Sequence, residues 1–92
     1  MIRSWANSAT RRFAETGKSK FSGMDEQMAR RRLNLIDSIS ALSEIAPLRS
    51  IHLHSLKGSR KGQWAITING PWRIVFKFKD GDAHDVEITD YH

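Results

Sequence analysis

The chain has 92 residues, 39% hydrophobic and 27% charged, with no cysteine and a net charge of +5. That length allows one domain, residues 1–92, whose small core hides about 60–65% of the unfolded surface, and the composition excludes wholesale disorder. The missing cysteine excludes a disulfide framework, a thiol nucleophile and any Cys-based zinc site, while the absence of about 18 consecutive apolar residues excludes a spanning helix.

Taken in chain order, Ile2 to Trp5 reads as a short strand. The opening residues lack the apolar core of a secretion signal, so a cytoplasmic location is expected. Asn7 or Ser8 caps a helix that runs to about Thr16, where Gly17 stops it. Lys18 to Gly23 is a loop. Asp25 starts a longer helix predicted to end near Glu44, ahead of Pro47. Met28, Leu35, Ile36, Ile39 and Leu42 recur at helical spacing and give it one apolar face. Pro47 to Gly62 is irregular, with Gly58 and Gly62 bracketing Ser59-Arg60-Lys61.

The second half alternates. Trp64, Ile66 and Ile68 mark one strand; Trp72, Ile74, Phe76 and Phe78 mark the next. Asn69-Gly70 signals a hairpin between them, which Pro71 is expected to lengthen. Asp80-Gly81 marks a second turn, and Val86 and Ile88 carry a third strand that ends at Tyr91-His92. The predicted architecture is α+β: two N-terminal helices packed on an antiparallel sheet. Alternation turns Arg73, Val75, Lys77 and Lys79 away from the helices, together with Asp85, Glu87 and Thr89.

Charge is segregated along the chain. Ile45 to Lys79 holds seven basic residues (Arg49, Lys57, Arg60, Lys61, Arg73, Lys77 and Lys79) and no carboxylate. Asp80 to His92 then holds Asp80, Asp82, Asp85, Glu87 and Asp90 with no Lys or Arg. One reading is a positive face that draws in a polyanion, helped by Arg30-Arg31-Arg32. The other is that the acidic last strand pairs with its basic neighbours and cancels them.

His52 and His54 would share a face if extended, yet a metal site needs a third ligand. Asp90 or His92 could supply one only if the end of the chain folded back beside them. No metal or other cofactor is expected. His54, Lys57, Arg73, Asp90, Tyr91 and His92 instead form an inventory for cutting RNA without metal. Such cleavage takes a proton from the ribose 2′-OH, gives one to the leaving 5′-oxygen, and needs cations on the phosphate. Histidine suits the proton transfers, Arg grips two phosphate oxygens, Lys acts as a point charge, and Tyr91 can stack on a base or donate its proton. The competing reading is a non-catalytic basic module that binds RNA or a protein partner, in which Arg60 and Lys61 matter and the histidines do not.

The strings His54-Ser55-Leu56-Lys57-Gly58, Trp64-Ala65-Ile66-Thr67-Ile68, Trp72-Arg73-Ile74-Val75-Phe76 and the terminal Asp90-Tyr91-His92 occur in this order. Together they resemble the HigB-type toxins of the RelE superfamily, most sharply from Leu53 onward. The resemblance implies the toxin of a type II toxin–antitoxin pair with a microbial-RNase-like fold. It implies a metal-independent endoribonuclease that enters the 30S ribosomal A site and cuts mRNA there. On the matching positions it makes His54, Asp90, Tyr91 and His92 catalytic, and Lys57 and Arg73 phosphate-holding. Arg60 and Lys61 are added as candidate RNA contacts on charge alone. The implied partner is a HigA-type helix-turn-helix antitoxin, with operator DNA bound through the complex and no membrane involved.

Overall fold

The computed structural model describes residues 1–90. Helix α1 spans Ser8–Thr16 and helix α2 spans Glu26–Ser38. Strands β1 (His54–Ser55), β2 (Trp64–Asn69), β3 (Trp72–Lys79) and β4 (Asp82–Asp90) form one antiparallel sheet in the order β1-β2-β3-β4. Single helical turns at Leu42–Glu44, Arg49–Ile51 and Gly58–Arg60 fill the irregular stretch between α2 and β2. Among the described residues no helix is long and apolar enough to cross a membrane.

Both helix starts follow from their caps. The Asn7 side chain accepts from the Thr10 amide at 2.9 Å and that of Asp25 from the Met28 amide at 3.0 Å, each satisfying an orphan donor of the first turn. Gly17 ends α1 in the left-handed conformation, its N–H on the Phe13 carbonyl.

Helix α2 stops at Ser38 instead of near Glu44. Ile39 turns to extended backbone, and the Glu44 carboxylate captures the amides of Ser40 and Ala41, both at 2.8 Å. These bonds and one from the Ser40 hydroxyl hold the Glu44 carboxyl below its ordinary pKa. Serine competes with helix by such local bonding, which is why the helix yields at Ser38-Ile39-Ser40. The buried stripe of α2 is Ala29, Leu33 and Ile36, with Met28 and Leu35 half-buried on its flanks.

The core lies between the helices and one sheet face. Phe13, Ala29, Leu33, Ile36 and Ile39 meet Ile66, Ile68, Ile74, Phe76, Ala83, Val86 and Ile88. Two ties hold the remaining loop to the first hairpin. Asn69 accepts from the Asp25 amide and donates to the Gly23 carbonyl; Trp72 stacks edge-on against Phe21 and donates from Nε1 to the Ser22 carbonyl.

The first hairpin is tighter than Pro71 suggests. Asn69 pairs with Trp72, so Gly70-Pro71 is a two-residue loop, and the register shift between Thr67 and Asn69 absorbs the difference. In the second hairpin Asp80 and Gly81 both have positive φ, 51° and 81°, as a type I′ turn requires.

Strand β4 carries a bulge. Val75 pairs with Glu87 but Lys77 with His84, leaving Asp85 as the extra residue, at φ 51°. The bulge flips the expected alternation on its N-terminal side: Ala83 is buried in the core and His84 stands opposite Lys77. The segment from Met1 to Ala6 runs parallel to β4 and bonds to Ala83 and Val86, while the Ser4 hydroxyl accepts from the Asp85 amide at 2.8 Å.

Beyond that segment the buried Thr10 takes over. Its hydroxyl accepts the Ile88 N–H at 2.9 Å, tying α1 to β4 two residues before Asp90. Thr10→Val keeps the shape and orphans that amide, at a cost of about 1–3 kcal/mol. Thermal unfolding is expected to show the corresponding fall in Tm, with Thr10→Ser retaining most of the stability. An unchanged Tm in the valine variant would contradict the role.

Candidate active site

The sheet face turned away from the helices is organised by register. His54 pairs with Ala65, Ala65 with Val75, and Val75 with Glu87, forming one row across all four strands. Thr67, Arg73 and Thr89 form the next row on the same face. This face is not uniformly wet: Leu56 folds over it and buries Ala65 and Val75 to form a small second apolar cluster. Val75, expected to point toward solvent, is fully buried beneath it.

His54 is exposed on β1, the edge strand. Its Nδ1 lies 2.8 Å from the His52 carbonyl oxygen. A carbonyl only accepts, so Nδ1 carries a proton, which leaves Nε2 as the nitrogen that accepts whenever the ring is neutral. His52 thereby acquires a part through its main chain: it sits at φ 54°, in the left-handed region, with its carbonyl oxygen against Nδ1 of the ring. The i, i+2 spacing was visible in the sequence; this contact was not.

Lys57 is exposed where the chain leaves β1 and enters the turn at Gly58–Arg60. Arg73, half-buried on β3, is braced by its own hairpin. Its Nη1 donates to the Gly70 carbonyl at 2.6 Å and the Trp72 carbonyl at 2.9 Å. Both bonds use one terminal nitrogen, so the fork keeps donors for a phosphate.

Asp90 pairs with Trp72, one step past the Arg73–Thr89 pair, so strand alternation puts it at the end of β4 on the opposite face of the sheet from Arg73 and His54. His54 and Lys57 stand at the other side. With β1 and β4 at opposite ends of the strand order, three spacings of about 4.8 Å put their strands roughly 14 Å apart. Tyr91 and His92 lie outside the described residues.

The acidic strand does neutralise basic neighbours. Arg60 pairs with Glu87 at 3.1 Å, Lys77 with Asp85 at 3.4 Å and Arg3 with Asp82 at 3.1 Å. The Arg3 hydrogen bond leads the lowering of the Asp82 pKa. Lys61 is exposed. In the other basic cluster, Arg30 lies 5.5 Å over the Phe13 ring and Arg32 donates to the Thr67 carbonyl at 3.2 Å. Among the described residues no three His, Asp or Glu side chains come together as a metal site. A basic cleft between α1 and the following loop is lined by Arg12, Lys18 and Lys20.

A sequence model of the HigB-like toxins, RelE-like toxins of type II toxin–antitoxin systems, matches residues 3–92. A curated relative, endoribonuclease HigB of Proteus vulgaris, is 38% identical over 94 aligned positions, covering 100% of both chains. Among solved structures, YafQ from E. coli strain BL21(DE3) superimposes with a TM-score of 0.61 at 14% identity, over 98% of this chain and 93% of its own. A histidine-to-glutamine variant of YafQ from E. coli gives the same TM-score and coverage at 15% identity. At such identity the likeness to YafQ is one of fold.

Proposed function

The chain belongs to the HigB-like toxin family of type II toxin–antitoxin systems, and from that premise we propose that it is a metal-independent endoribonuclease that cuts mRNA in the ribosomal A site and so halts translation. The observation that carries the reading is His54, held as the Nδ1–H tautomer on the same sheet face as Arg73, with Lys57 at its edge.

In the proposed reaction the ribose 2′-oxygen attacks phosphorus and the bond to the 5′-oxygen breaks. One group takes the 2′-OH proton and another protonates the leaving oxygen, giving a 2′,3′-cyclic phosphate and a 5′-OH. His54 serves such a transfer through Nε2, an acceptor when the ring is neutral and a donor once it is charged. Arg73 and Lys57 hold the phosphate and stabilise its developing charge. Asp90, at the end of β4, and the residues Tyr91 and His92 supply the remaining proton handling and base contact. His54 and Asp90 sit on strands at opposite ends of the sheet, so an RNA that reaches across it is what would engage both.

Membership of the family makes a protein antitoxin the partner. We assign this role to a HigA-type helix-turn-helix protein, with operator DNA bound by the complex, and place the toxin in the cytoplasm. Induction in growing cells tests the catalytic set. His92→Gln, or removal of Tyr91-His92, is expected to abolish growth inhibition while circular dichroism stays unchanged. A folded variant as toxic as the parent would overturn the assignment.

A further inference from the structure

The segment from Leu56 to Gln63 leaves β1, crosses the outer sheet face and returns as β2. The Leu56 amide donates to the Gln63 carbonyl at 2.9 Å and closes the base of this strap. Leu56 packs on Ala65 and Val75 beneath it. From the strap's helical turn, Arg60 reaches past β2 and β3 to β4. Nη1 and Nη2 meet the two oxygens of Glu87 at 3.1 and 3.5 Å, and Nη1 also donates to Gln63 Oε1 at 3.2 Å. The two side chains are 30% and 21% exposed, so the pair is partly shielded from water and salt. Glu87 stands opposite Val75 in register, at the far side of the apolar patch that Leu56 covers.

We propose that Arg60–Glu87 is a clasp that holds the strap against the sheet and so sets the position of Lys57 over the outer face. Arg60 is then a positioning residue acting through Lys57, and not itself a phosphate contact. A two-point fork to a carboxylate fixes both distance and direction, which a lone cation on a loop does not. The catalytic half of the inference rests on the nuclease reading above; the clasp itself does not.

The two roles for Arg60 predict opposite behaviour at Glu87. If Arg60 gripped RNA, Glu87→Gln would remove a negative charge from a face meeting a polyanion, and cleavage would hold or rise. If the pair is a clasp, Glu87→Gln lowers kcat/KM by about tenfold, as expected for loss of a charged hydrogen bond. In a Lys57→Ala background the same substitution then costs less than about twofold, because the group it positions is gone. A merely structural effect would be equal in both backgrounds. The reversed pair, Arg60→Glu with Glu87→Arg, recovers activity under the clasp and not under a phosphate contact.

Amide exchange reads the clasp independently of activity. The Arg60, Lys61 and Gln63 amides bond within the strap, and Glu87→Gln is expected to speed their exchange about tenfold, with the reversed pair restoring it. Unaltered exchange, undiminished cleavage in Glu87→Gln, or equal losses in both backgrounds would each overturn the proposal. Wild-type protein that cuts no mRNA would instead remove the nuclease reading, with the exchange measurement still deciding on the clasp.

Discussion

His54→Ala is expected to reduce mRNA cleavage by about 10²- to 10⁴-fold, the range for removing a group that moves a proton in the transition state. The fold should survive the change. His54 is exposed, among the described residues its ring bonds only to the His52 carbonyl, and β1 pairs through backbone groups that alanine retains. Alanine removes the imidazole whole: the Nδ1–H contact to the His52 carbonyl and, with it, the Nε2 acceptor which that contact prepares. His54→Gln restores a polar side chain without a group that can take up and return a proton, so it should not recover the rate. Single-turnover cleavage of mRNA on programmed ribosomes is the measurement. A loss below about threefold, short of even one factor of ten, would remove His54 from the proton-transfer role.

The largest effect on stability is expected at Phe76. It lies on β3, one of the two inner strands, fully buried in the core and edge-on to Phe78 at 6.5 Å. It also stands opposite the β4 bulge, where backbone geometry leaves little scope to close a hole. Phe76→Ala combines lost burial with an unfilled cavity, a cost of about 3–5 kcal/mol. Native domains are stable by about 5–15 kcal/mol, and a chain this short sits toward the lower end. One substitution should therefore take a third or more of the total. Urea unfolding is expected to shift its midpoint accordingly with an unchanged slope, and Phe78→Ala, half-buried, should cost less. A loss under about 1 kcal/mol would mean that the core repacks around the cavity.

What could be read in advance follows from the range of the forces involved. Helix α1, the start of α2 and the places of both hairpins were legible because a few adjacent residues decide them: Asn7 and Gly17, Asp25, Asn69-Gly70, Asp80-Gly81; the length of the first loop was not, since Pro71 suggested a longer one than Gly70-Pro71. The end of α2 was misplaced because Ile39, Leu42 and Ile45 keep an apolar rhythm past Ser38. The following turn still packs them on the core, so burial persists after the helix has ended. Strand β1 is two residues long, too short to show alternation. The Asp85 amide at the bulge is bonded by Ser4, 81 residues away, and no local signal marks a left-handed aspartate inside a strand.

The site divides the same way. The residue types that suit phosphate chemistry, and their order, stand in the chain, so His54, Lys57 and Arg73 could be singled out directly. Their settings could not. Arg60 and Lys61 look equivalent as neighbouring cations, yet Arg60 is engaged by a carboxylate 27 residues on while Lys61 is exposed. Net charge and its segregation describe what the surface could attract. Pairing across the sheet decides which cations remain to attract it.

The central claim is that a translating ribosome presents mRNA to this sheet face for cutting. The most direct measurement is in vitro translation with purified protein, mapping mRNA 5′ ends by primer extension, beside a folded His54→Ala, His92→Ala double variant. New ends at the A-site codon with wild type alone are the predicted result. Translation that stalls on intact mRNA would contradict the account and leave a binding module whose histidines carry no chemistry.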